Sequence, residues 1–276
     1  MSEKKTVLIT GGSDGVGAAA ARHAVDRGHR VVIIGRNRAK TAALGTELGI
    51  DHHVADFAEL DQVRALGETL LAAYPRIDVL ANNAGGWVSE REVTVDGYEK
   101  TFQVNHLAGF LLTTLLLPAL LAGSAKVIQT SSVGAKTFGN IDIDDLQNER
   151  KYAPSKAYGD SKLANILFTR ELDRRYRDQG LAAAAFHPGP VASNFGSGAS
   201  TITIRLAYTA LRWALISPEK GADTLNWLID EQPGRTWEPG RYYVKRKPAT
   251  TSRQADDTEL AAQLWDRSAE LASLVH

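Results

Sequence analysis

Residues 6–17 read TVLITGGSDGVG, in which a short apolar run turns directly into a glycine-rich segment. The run Thr6–Ile9 has the length and β-branched content of a buried strand. The glycines that follow allow a tight turn, and the alanine-rich residues Ala18–Arg27 have helical periodicity. A strand, a glycine turn and a helix in this order predict a phosphate-binding βα unit, whereas a glycine cluster alone is also typical of a flexible turn.

The same alternation continues along the chain. Asp61–Ala73 has helical periodicity, and a third strand is predicted at His52 and His53. The other short apolar runs are Arg30–Ile34, Ile77–Ala81, Lys126–Thr130 and Leu181–Phe186. Strands that are apolar throughout are expected where helices cover both faces of a parallel sheet. We therefore predict an α/β protein with a Rossmann-type, doubly wound parallel sheet, and a length of 276 residues fits a single domain over 1–276.

The composition argues against several classes of ligand. Lys and Arg together number 32, as do Asp and Glu, so no net charge favours binding to nucleic acid. The chain has no Cys and no His-x-x-x-His pair, so we predict no metal site. A small neutral molecule is the expected ligand.

Two features bear on export and on membranes. The amino-terminal residues MSEKKTVLIT lack the apolar core of a signal peptide, so we expect a cytoplasmic protein. The uncharged segment Leu107–Gly123 reaches only the short limit of a membrane span and contains Pro118. We predict that it is a buried helix and not a transmembrane segment.

Polar and glycine-containing motifs follow the predicted strands. In chain order they are the turn Asn82-Asn83-Ala84-Gly85, Asn105 within Val-Asn-His, the pair Ser131-Ser132, Tyr158 and Lys162 in Tyr-x-x-x-Lys, and His187-Pro188-Gly189. As a set, over nearly the whole chain, they resemble the short-chain dehydrogenase/reductase superfamily. The segment SKLANILFT at 161–169 and the GRYY at 240–243 resemble its retinol-dehydrogenase-like branch.

This resemblance implies an enzyme that interconverts a carbonyl and an alcohol with a nicotinamide dinucleotide. The diphosphate of that cofactor is expected at the free N–H groups of the first helix. The cofactor-binding residues implied in the glycine turn are Gly11, Ser13, Asp14, Gly15, Val16 and Gly17. Those implied after later strands are Asp56, Phe57, Asn83, Ala84, Gly85, Tyr158, Lys162, Pro188, Gly189 and Val191.

The end of the second strand indicates which dinucleotide is bound. A carboxylate there would bond the ribose hydroxyls and repel a 2′-phosphate, but this chain has Gly35 followed by Arg36 and Asn37. Because Arg can bind phosphate bidentately, NADP(H) is favoured over NAD(H), unless Arg36 only caps an exposed turn. Asp14 opposes this preference, because NADP-preferring relatives often carry a basic or neutral residue there. Asp56 either contacts the adenine ring, as the resemblance implies, or caps a helix.

Two Tyr-x-x-x-Lys pairs occur, Tyr152 with Lys156 and Tyr158 with Lys162. Pro154 distinguishes them, because the residue before a proline is pushed out of the helical region and proline itself favours the first helical turn. Tyr158 and Lys162 are therefore predicted to be neighbours on one helical face. A simple packing role for Tyr158 is the alternative.

The resemblance assigns a role to each residue of the reaction centre. Tyr158 is the acid/base, while Lys162 lowers the pKa of its phenol, about 10 in water, and holds the nicotinamide ribose. Ser132 bonds the substrate carbonyl, with Ser131 as its rival, since adjacent strand residues face opposite sides. Asn105 holds a water that links Lys162 to solvent, the alternative being an Asn bonded to backbone at a helix kink.

Residues 193–217 are rich in Gly and Ser and then become apolar, and in the family this region covers the substrate. We expect a substrate lid over a lipophilic or aromatic ketone, aldehyde or alcohol, with contact to a membrane surface or a partner chain as the alternative. Trp87 and Phe138 either line the same pocket or are ordinary packing residues.

Oligomeric state and reaction type are less constrained. The family forms dimers or tetramers through the helices after Gly97 and around Tyr158, so a homodimer or homotetramer is expected, although burial within one subunit also explains the apolar Leu107–Leu121.

A non-catalytic dinucleotide-binding regulator would need the glycine turn but not the reaction centre. A reductase of carbon–carbon double bonds would use the same Tyr and Lys.

Overall fold

The computed structural model describes residues 4–191 and 215–274. Its strands are β1 Thr6–Thr10, β2 Arg30–Gly35, β3 Asp51–Val54, β4 Val79–Asn82, β5 Lys126–Thr130, β6 Ala182–His187, β7 Arg241–Val244 and β8 Lys247–Pro248. Its α-helices are α1 Gly15–Asp26, α2 Arg38–Leu48, α3 Leu60–Ala73, α4 Lys100–Phe102, α5 Ala108–Leu115, α6 Leu117–Ala122, α7 Gly134–Thr137, α8 Pro154–Tyr176, α9 Pro218–Asp230 and α10 Thr258–Leu271. A π-helical segment, Gln103–Leu107, joins α4 to α5.

All eight strands lie in one sheet in the order β3-β2-β1-β4-β5-β6-β7-β8. Strands β1 to β7 are parallel, and β8 pairs antiparallel with β7. The predicted α/β fold with a mainly parallel sheet is therefore confirmed. The strand order reverses between β1 and β4, which lie side by side, and a crevice is expected beyond their carboxyl ends.

Side chains of the central strands alternate between two cores. In β1, Leu8 belongs to the core on one face, while Val7 and Ile9 belong to the core on the other. Helices α3, α5, α8 and α10 close the first core, and α1 and α9 close the second. Because both faces are covered, the central strands are apolar throughout, as the sequence indicates.

The structure moves some predicted boundaries. Strand β4 begins at Val79 and not at Ile77, because the N–H of Ile77 donates to the carbonyl of Ala119, 3.0 Å away, before the chain enters the sheet. Strand β6 extends to His187. The last two strands, β7 and β8, have four and two residues, too short to form a recognisable apolar run.

The apolar segment Leu107–Gly123 is buried but is not one helix. It includes α5 and α6, and Pro118 lies in the first turn of α6. Phe110 is buried beneath Trp265 of α10, with ring centroids 5.1 Å apart. Burial within one chain thus explains its apolar character. Among the residues described, no helix is long and apolar enough to cross a membrane.

Candidate active site

The turn between β1 and α1 brings the backbone into very close contact. Gly11 has φ +61°, in the left-handed region, and a Cβ at Gly17 would collide with the Gly11 carbonyl oxygen. Asp14 is the N-cap of α1, and its carboxylate accepts from the N–H of Gly15 at 2.8 Å. The turn exposes the amino terminus of α1 to the crevice, a geometry that suits a diphosphate.

Asn83 joins the ends of three strands. Its side-chain nitrogen donates to the carbonyls of Thr10 at 3.1 Å and Gly11 at 3.3 Å, and its oxygen accepts from the Thr130 hydroxyl at 3.2 Å. The Thr10 hydroxyl accepts from the N–H groups of Asn83 and Ala84 at 2.9 and 3.0 Å. Asn83 therefore supports the glycine turn with its side chain. Thr10 was missed from the sequence, although a hydroxyl at a strand end was its visible signal.

At the carboxyl end of β2, the surroundings of Gly35 leave no room for a side chain at this position. A Cβ there would lie 2.5 Å from the Thr41 hydroxyl oxygen and 2.7 Å from that of Ser13. Arg36 is exposed, and no ion pair joins it to another residue within 4–191 or 215–274. Asn37 is the N-cap of α2. This end of the crevice therefore presents a cation where no carboxylate fits.

Asp14 is not an isolated negative charge at this end. Its carboxylate pairs with the Lys40 ammonium at 2.7 Å, and both side chains are about half exposed. The Lys40 charge offsets the carboxylate that opposes binding of a 2′-phosphate. Asp14 thus weakens the case for NADP(H) less than the sequence indicates.

Asp56 and Phe57 lie in the turn before α3. The Asp56 carboxylate accepts from the N–H of Ala58 at 2.9 Å, whereas the N-cap of α3 is Glu59, so the helix-cap interpretation of Asp56 is wrong. The Phe57 ring is buried in the core, so only its main chain could contact a cofactor.

Helix α8 separates the two Tyr-x-x-x-Lys pairs as predicted. Pro154 is its first residue, and Tyr152 precedes the helix and donates to the carbonyl of Glu90 at 3.2 Å. Tyr158 and Lys162 lie within α8, with the Lys162 ammonium 5.8 Å from the centroid of the Tyr158 ring. The shared helical face is therefore confirmed for this pair.

Lys162 is a buried cation that donates to a main-chain carbonyl. Its side chain belongs to the core, and burial lowers the pKa of its ammonium to about 8. Among the described residues, the Thr130 carbonyl at 3.2 Å is the acceptor within hydrogen-bond distance of its Nζ. A Cβ at Gly85 would lie 3.1 Å from Nζ, so the chain at Gly85 leaves a narrow gap beside it. The ammonium donors that the Thr130 carbonyl does not engage, among the described residues, fit the hydroxyls of a ribose.

The two serines after β5 have different environments. The Ser131 hydroxyl donates to the main-chain carbonyl of Lys162 at 2.7 Å, away from the crevice. The Ser132 oxygen accepts from the N–H of Gly134 at 3.1 Å and keeps its proton to donate. A Cβ at Gly134 would lie 2.9 Å from the Tyr158 ring and 3.5 Å from the Ser132 oxygen. Ser132 is therefore the serine beside Tyr158.

Asn105 lies in the π-helical segment, and its side chain bonds to the main chain of Gly86 and to Ser161. The oxygen accepts from the N–H of Gly86 at 2.7 Å, and the nitrogen donates to the Gly86 carbonyl at 2.9 Å and to the Ser161 hydroxyl at 3.0 Å. A π-helical segment is frequent at functional sites. Trp87 follows Gly86, and its ring lies 5.0 Å from the ring of Tyr158.

The segment after β6 and the first turn of α1 both pack against α9. The side chains of Val16 and Val191 both face Gly221 of α9. Val191 also pairs with Ile216 in a parallel bridge, beside Pro188 and Gly189. The predicted lid at 193–217 lies mostly outside the described residues, which resume at 215.

Taken together, the residues beyond the strand ends fit a nicotinamide dinucleotide. The amino terminus of α1 suits the diphosphate, Arg36 the adenosine end, and Lys162 the second ribose. The predicted reaction-centre residues Ser132, Tyr158 and Lys162 come together at the ends of β5 and α8.

Known proteins resemble this chain over most of its length. The family model for short chain dehydrogenases matches residues 5–201. The Streptomyces sp. (strain C5) protein named "Putative daunorubicin C-13 ketoreductase DnrU" is 44% identical over 272 residues, covering 96% of this chain and 91% of that protein. Retinol dehydrogenase 14 of Homo sapiens is 36% identical, covering 98% and 87%.

A solved structure extends the likeness to three dimensions. The crystal structure of a protein from Mycobacterium Paratuberculosis aligns with a TM-score of 0.79 at 31% identity, covering 98% of this chain and 93% of that one. The chain therefore belongs to the short-chain dehydrogenase/reductase family, has retinol-dehydrogenase-like relatives, and is an NAD(P)-dependent oxidoreductase acting on CH–OH or C=O groups.

Proposed function

We propose that this protein is an NADP(H)-dependent carbonyl reductase or alcohol dehydrogenase for lipophilic or aromatic ketones, aldehydes or secondary alcohols, with Tyr158 as general acid/base. The observation that carries the proposal is that Tyr158 lies beside Ser132 and close to the buried Lys162 ammonium. Each of these groups has a distinct role in the reaction.

Tyr158 donates the proton to the substrate oxygen during reduction and takes it back during oxidation. A phenol with its ordinary pKa of about 10 is a weak base at neutral pH. The Lys162 ammonium stabilises the phenolate, and a lysine pKa of about 8 leaves it mainly charged at pH 7. Lys162 would hold the ribose of a bound nicotinamide, and the chemistry which that group would supply is hydride transfer to or from the substrate carbon.

Ser132 orients the substrate oxygen. Its oxygen already accepts from the N–H of Gly134, so its own proton is available for an acceptor in the crevice. A hydroxyl donor held in this way stabilises the negative charge that develops on the substrate oxygen. Ser132 and Tyr158 thereby both donate to the substrate oxygen.

The surroundings of Gly35 support NADP(H). Arg36 offers two parallel donors to a 2′-phosphate, and the lack of space at Gly35 removes the carboxylate that would select NAD(H). The ion pair between Asp14 and Lys40 reduces the remaining repulsion.

Apolar side chains near Tyr158 support a lipophilic substrate. Trp87 lies against the Tyr158 ring, and Val133 and Phe138 are 53% and 47% exposed although they follow Ser132 closely in the chain. Exposed apolar groups beside a polar reaction centre are typical of a site for an apolar ligand. The names of the relatives, a daunorubicin ketoreductase and retinol dehydrogenases, also refer to lipophilic ring-containing compounds.

The test measures oxidation of NADPH and of NADH with a panel of lipophilic ketones, aldehydes, quinones and enones, with products identified. We expect Tyr158→Phe to lower kcat by about 10²–10⁴-fold while the variant still binds NADPH. Tyr152→Phe is the matched control and should retain wild-type kcat, because Tyr152 lies outside α8.

Two results would contradict the proposal. Full activity of Tyr158→Phe on a substrate that wild type reduces would show that another group supplies the proton. A product reduced only at a carbon–carbon double bond would assign the chain to the other reaction class.

A further inference from the structure

A continuous chain of buried hydrogen bonds connects α10 to the reaction centre. The imidazole of His106, in the π-helical segment, lies 3.1 Å from the Ser268 hydroxyl through Nε2 and 3.2 Å from the Asn165 side-chain oxygen through Nδ1. The Asn165 nitrogen lies 3.0 Å from the Asn105 carbonyl oxygen and 3.2 Å from that of Thr130. All of these side chains except that of Thr130 are almost fully buried.

The chemistry of the partners fixes the direction of every bond. Carbonyl oxygens only accept, so the Asn165 nitrogen must face Asn105 and Thr130, which leaves its oxygen facing His106. That oxygen needs a donor, so Nδ1 of His106 carries the proton. Burial lowers the pKa of His106 to about 4, so the ring is neutral at pH 7. Its Nε2 therefore accepts from the Ser268 hydroxyl.

The chain ends on the same oxygen that binds Lys162. The Thr130 carbonyl accepts from the Asn165 nitrogen and from the Lys162 ammonium, both at 3.2 Å. The Asn165 nitrogen also holds the main chain of Asn105. One amide thus fixes two backbone carbonyls that flank the proton-transfer groups.

We propose that Asn165 and His106 are positioning residues that hold the Lys162 ammonium through the Thr130 carbonyl, with Ser268 of α10 supporting His106. This inference rests on the proposed function of the Tyr158–Lys162 pair and adds residues to it. Asn165 and His106 touch neither the crevice nor Tyr158 in the contacts described; they act through Thr130 and Asn105.

The alternative is a polar cluster that only stabilises the core. The positioning role and the structural role predict different effects of distance from Lys162. A positioning chain loses influence from Asn165 to His106 to Ser268, because each step is one bond further from Lys162. A merely structural cluster affects folding stability without changing the acid/base behaviour of the site.

The experiment compares Asn165→Leu, His106→Phe and Ser268→Ala with Thr169→Val. Leu and Phe keep the buried volume, and the flanking rings of Phe102, Phe110 and Phe168 can accept another aromatic ring. Thr169 is the control because it is fully buried in the same helix and its hydroxyl donates only along the helix, to the Asn165 carbonyl at 2.8 Å. Thermal denaturation checks that each variant is folded.

We expect kcat to fall by about 10- to 100-fold for Asn165→Leu, about threefold to tenfold for His106→Phe, and about twofold for Ser268→Ala. The apparent pKa in the kcat–pH profile of Asn165→Leu should rise by about half a unit or more. The cause is that a displaced ammonium stabilises the Tyr158 phenolate less, which raises the pKa of the phenol. Thr169→Val should keep kcat within about twofold of the wild-type value and the apparent pKa within about 0.2 units of it.

Two readouts do not need turnover. Two-bond ¹⁵N–¹H NMR spectra of the wild type should show His106 as the neutral Nδ1–H tautomer at pH 7, with His106→Phe providing the assignment. Asn165→Leu should also weaken NADPH binding by about threefold or more, because Lys162 fits the nicotinamide ribose. An Nε2–H tautomer, or wild-type NADPH affinity in a folded Asn165→Leu protein, would overturn the positioning role.

The results separate this inference from the proposed function. If wild type reduces no carbonyl but the tautomer and NADPH affinities are as expected, the proposed reaction fails while the positioning chain stands. If wild type is active and Asn165→Leu matches it in kcat and in pH profile, or Thr169→Val is equally impaired, the positioning chain fails while the reaction stands.

Discussion

The two ends of the crevice are built in opposite ways. At the adenosine end, Arg36 is exposed and the Lys40–Asp14 pair is half exposed, so water and salt screen these charges. At the reaction end, Lys162 is 1% exposed and lies at the end of a buried hydrogen-bond chain. A single substitution should therefore change cofactor preference by a small energy at one end and abolish catalysis at the other.

The largest effect is expected for Lys162→Met, which removes the buried charge and keeps the apolar stem. We expect kcat of carbonyl reduction to fall by about 10²–10⁴-fold. The variant should also lose a pH dependence of stability, because burial lowers the folded-state pKa of Lys162 to about 8 while the unfolded chain keeps about 10.5.

The lowered pKa of Lys162 determines the sign of this pH dependence of stability. Between pH 8 and 10.5 the unfolded chain binds the proton of Lys162 more than the folded chain does, so the free energy of unfolding rises with pH in this window, by about 3 kcal/mol. Urea denaturation at pH 7.5 and 10.5 should show a rise that is smaller by about 3 kcal/mol in Lys162→Met than in wild type and in the control Lys156→Met. The buried Lys126, whose pKa is lowered to about 7, contributes equally to the rise in all three proteins. An equal rise in all three proteins would mean that Lys162 titrates normally.

The next effect tests whether the glycine turn before α1 tolerates an added side chain. Gly17→Ala would push a Cβ into the Gly11 carbonyl, which is backbone and cannot turn aside. We expect a loss of about 3 kcal/mol in the free energy of unfolding and NADPH affinity reduced by at least about tenfold. Urea denaturation and fluorescence titration with NADPH measure the two quantities.

Gly67→Ala is the control for that prediction. Gly67 lies in α3, and an added methyl there would meet only side-chain atoms of Leu115, so the change in stability should stay within about 1 kcal/mol. Wild-type NADPH affinity in a folded Gly17→Ala protein would mean that the turn is not held in this geometry when the cofactor binds.

The difference between the two ends also explains what the sequence could predict. The glycine turn is local: a strand, a turn and a helix follow each other within 6–26, so spacing alone identifies them. Pro154 likewise distinguishes Tyr158 from Tyr152 by a steric rule that acts between neighbours. Both predictions needed no information about the rest of the chain.

The support of the reaction end was not predictable in this way. His106 meets Asn165 and Ser268 across 59 and 162 residues, and no periodicity links positions so far apart. The motif around Asn165 was visible in SKLANILFT, but its partners were not. The π-helical segment Gln103–Leu107 was also hidden, because a single π-helical turn within a helical stretch has no periodicity of its own that distinguishes it from the α-helix that continues it.

A smaller effect is expected at Arg36. Arg36→Leu removes the donors proposed for the 2′-phosphate, so the NADPH dissociation constant should rise by about tenfold while that of NADH stays within about twofold. Arg22→Leu is the control, since Arg22 is also an exposed arginine but pairs with Glu47 on α2. An equal loss of NADPH and NADH affinity in Arg36→Leu would assign Arg36 to the diphosphate or to the fold.

The smallest effect concerns Asp14, and it tests how far screening governs the adenosine end. Asn caps a helix as well as Asp does, so Asp14→Asn should leave the stability of α1 nearly unchanged while removing one negative charge. Because the carboxylate is about half exposed and paired with Lys40, we expect NADPH affinity to rise by only about twofold to threefold, and the gain to shrink in 1 M salt. Lys40→Gln should change NADPH affinity by a similar factor in the opposite direction. A gain of tenfold or more that persists in high salt would require Asp14 to face the 2′-phosphate directly, and the adenosine end would then be as preorganised as the reaction end.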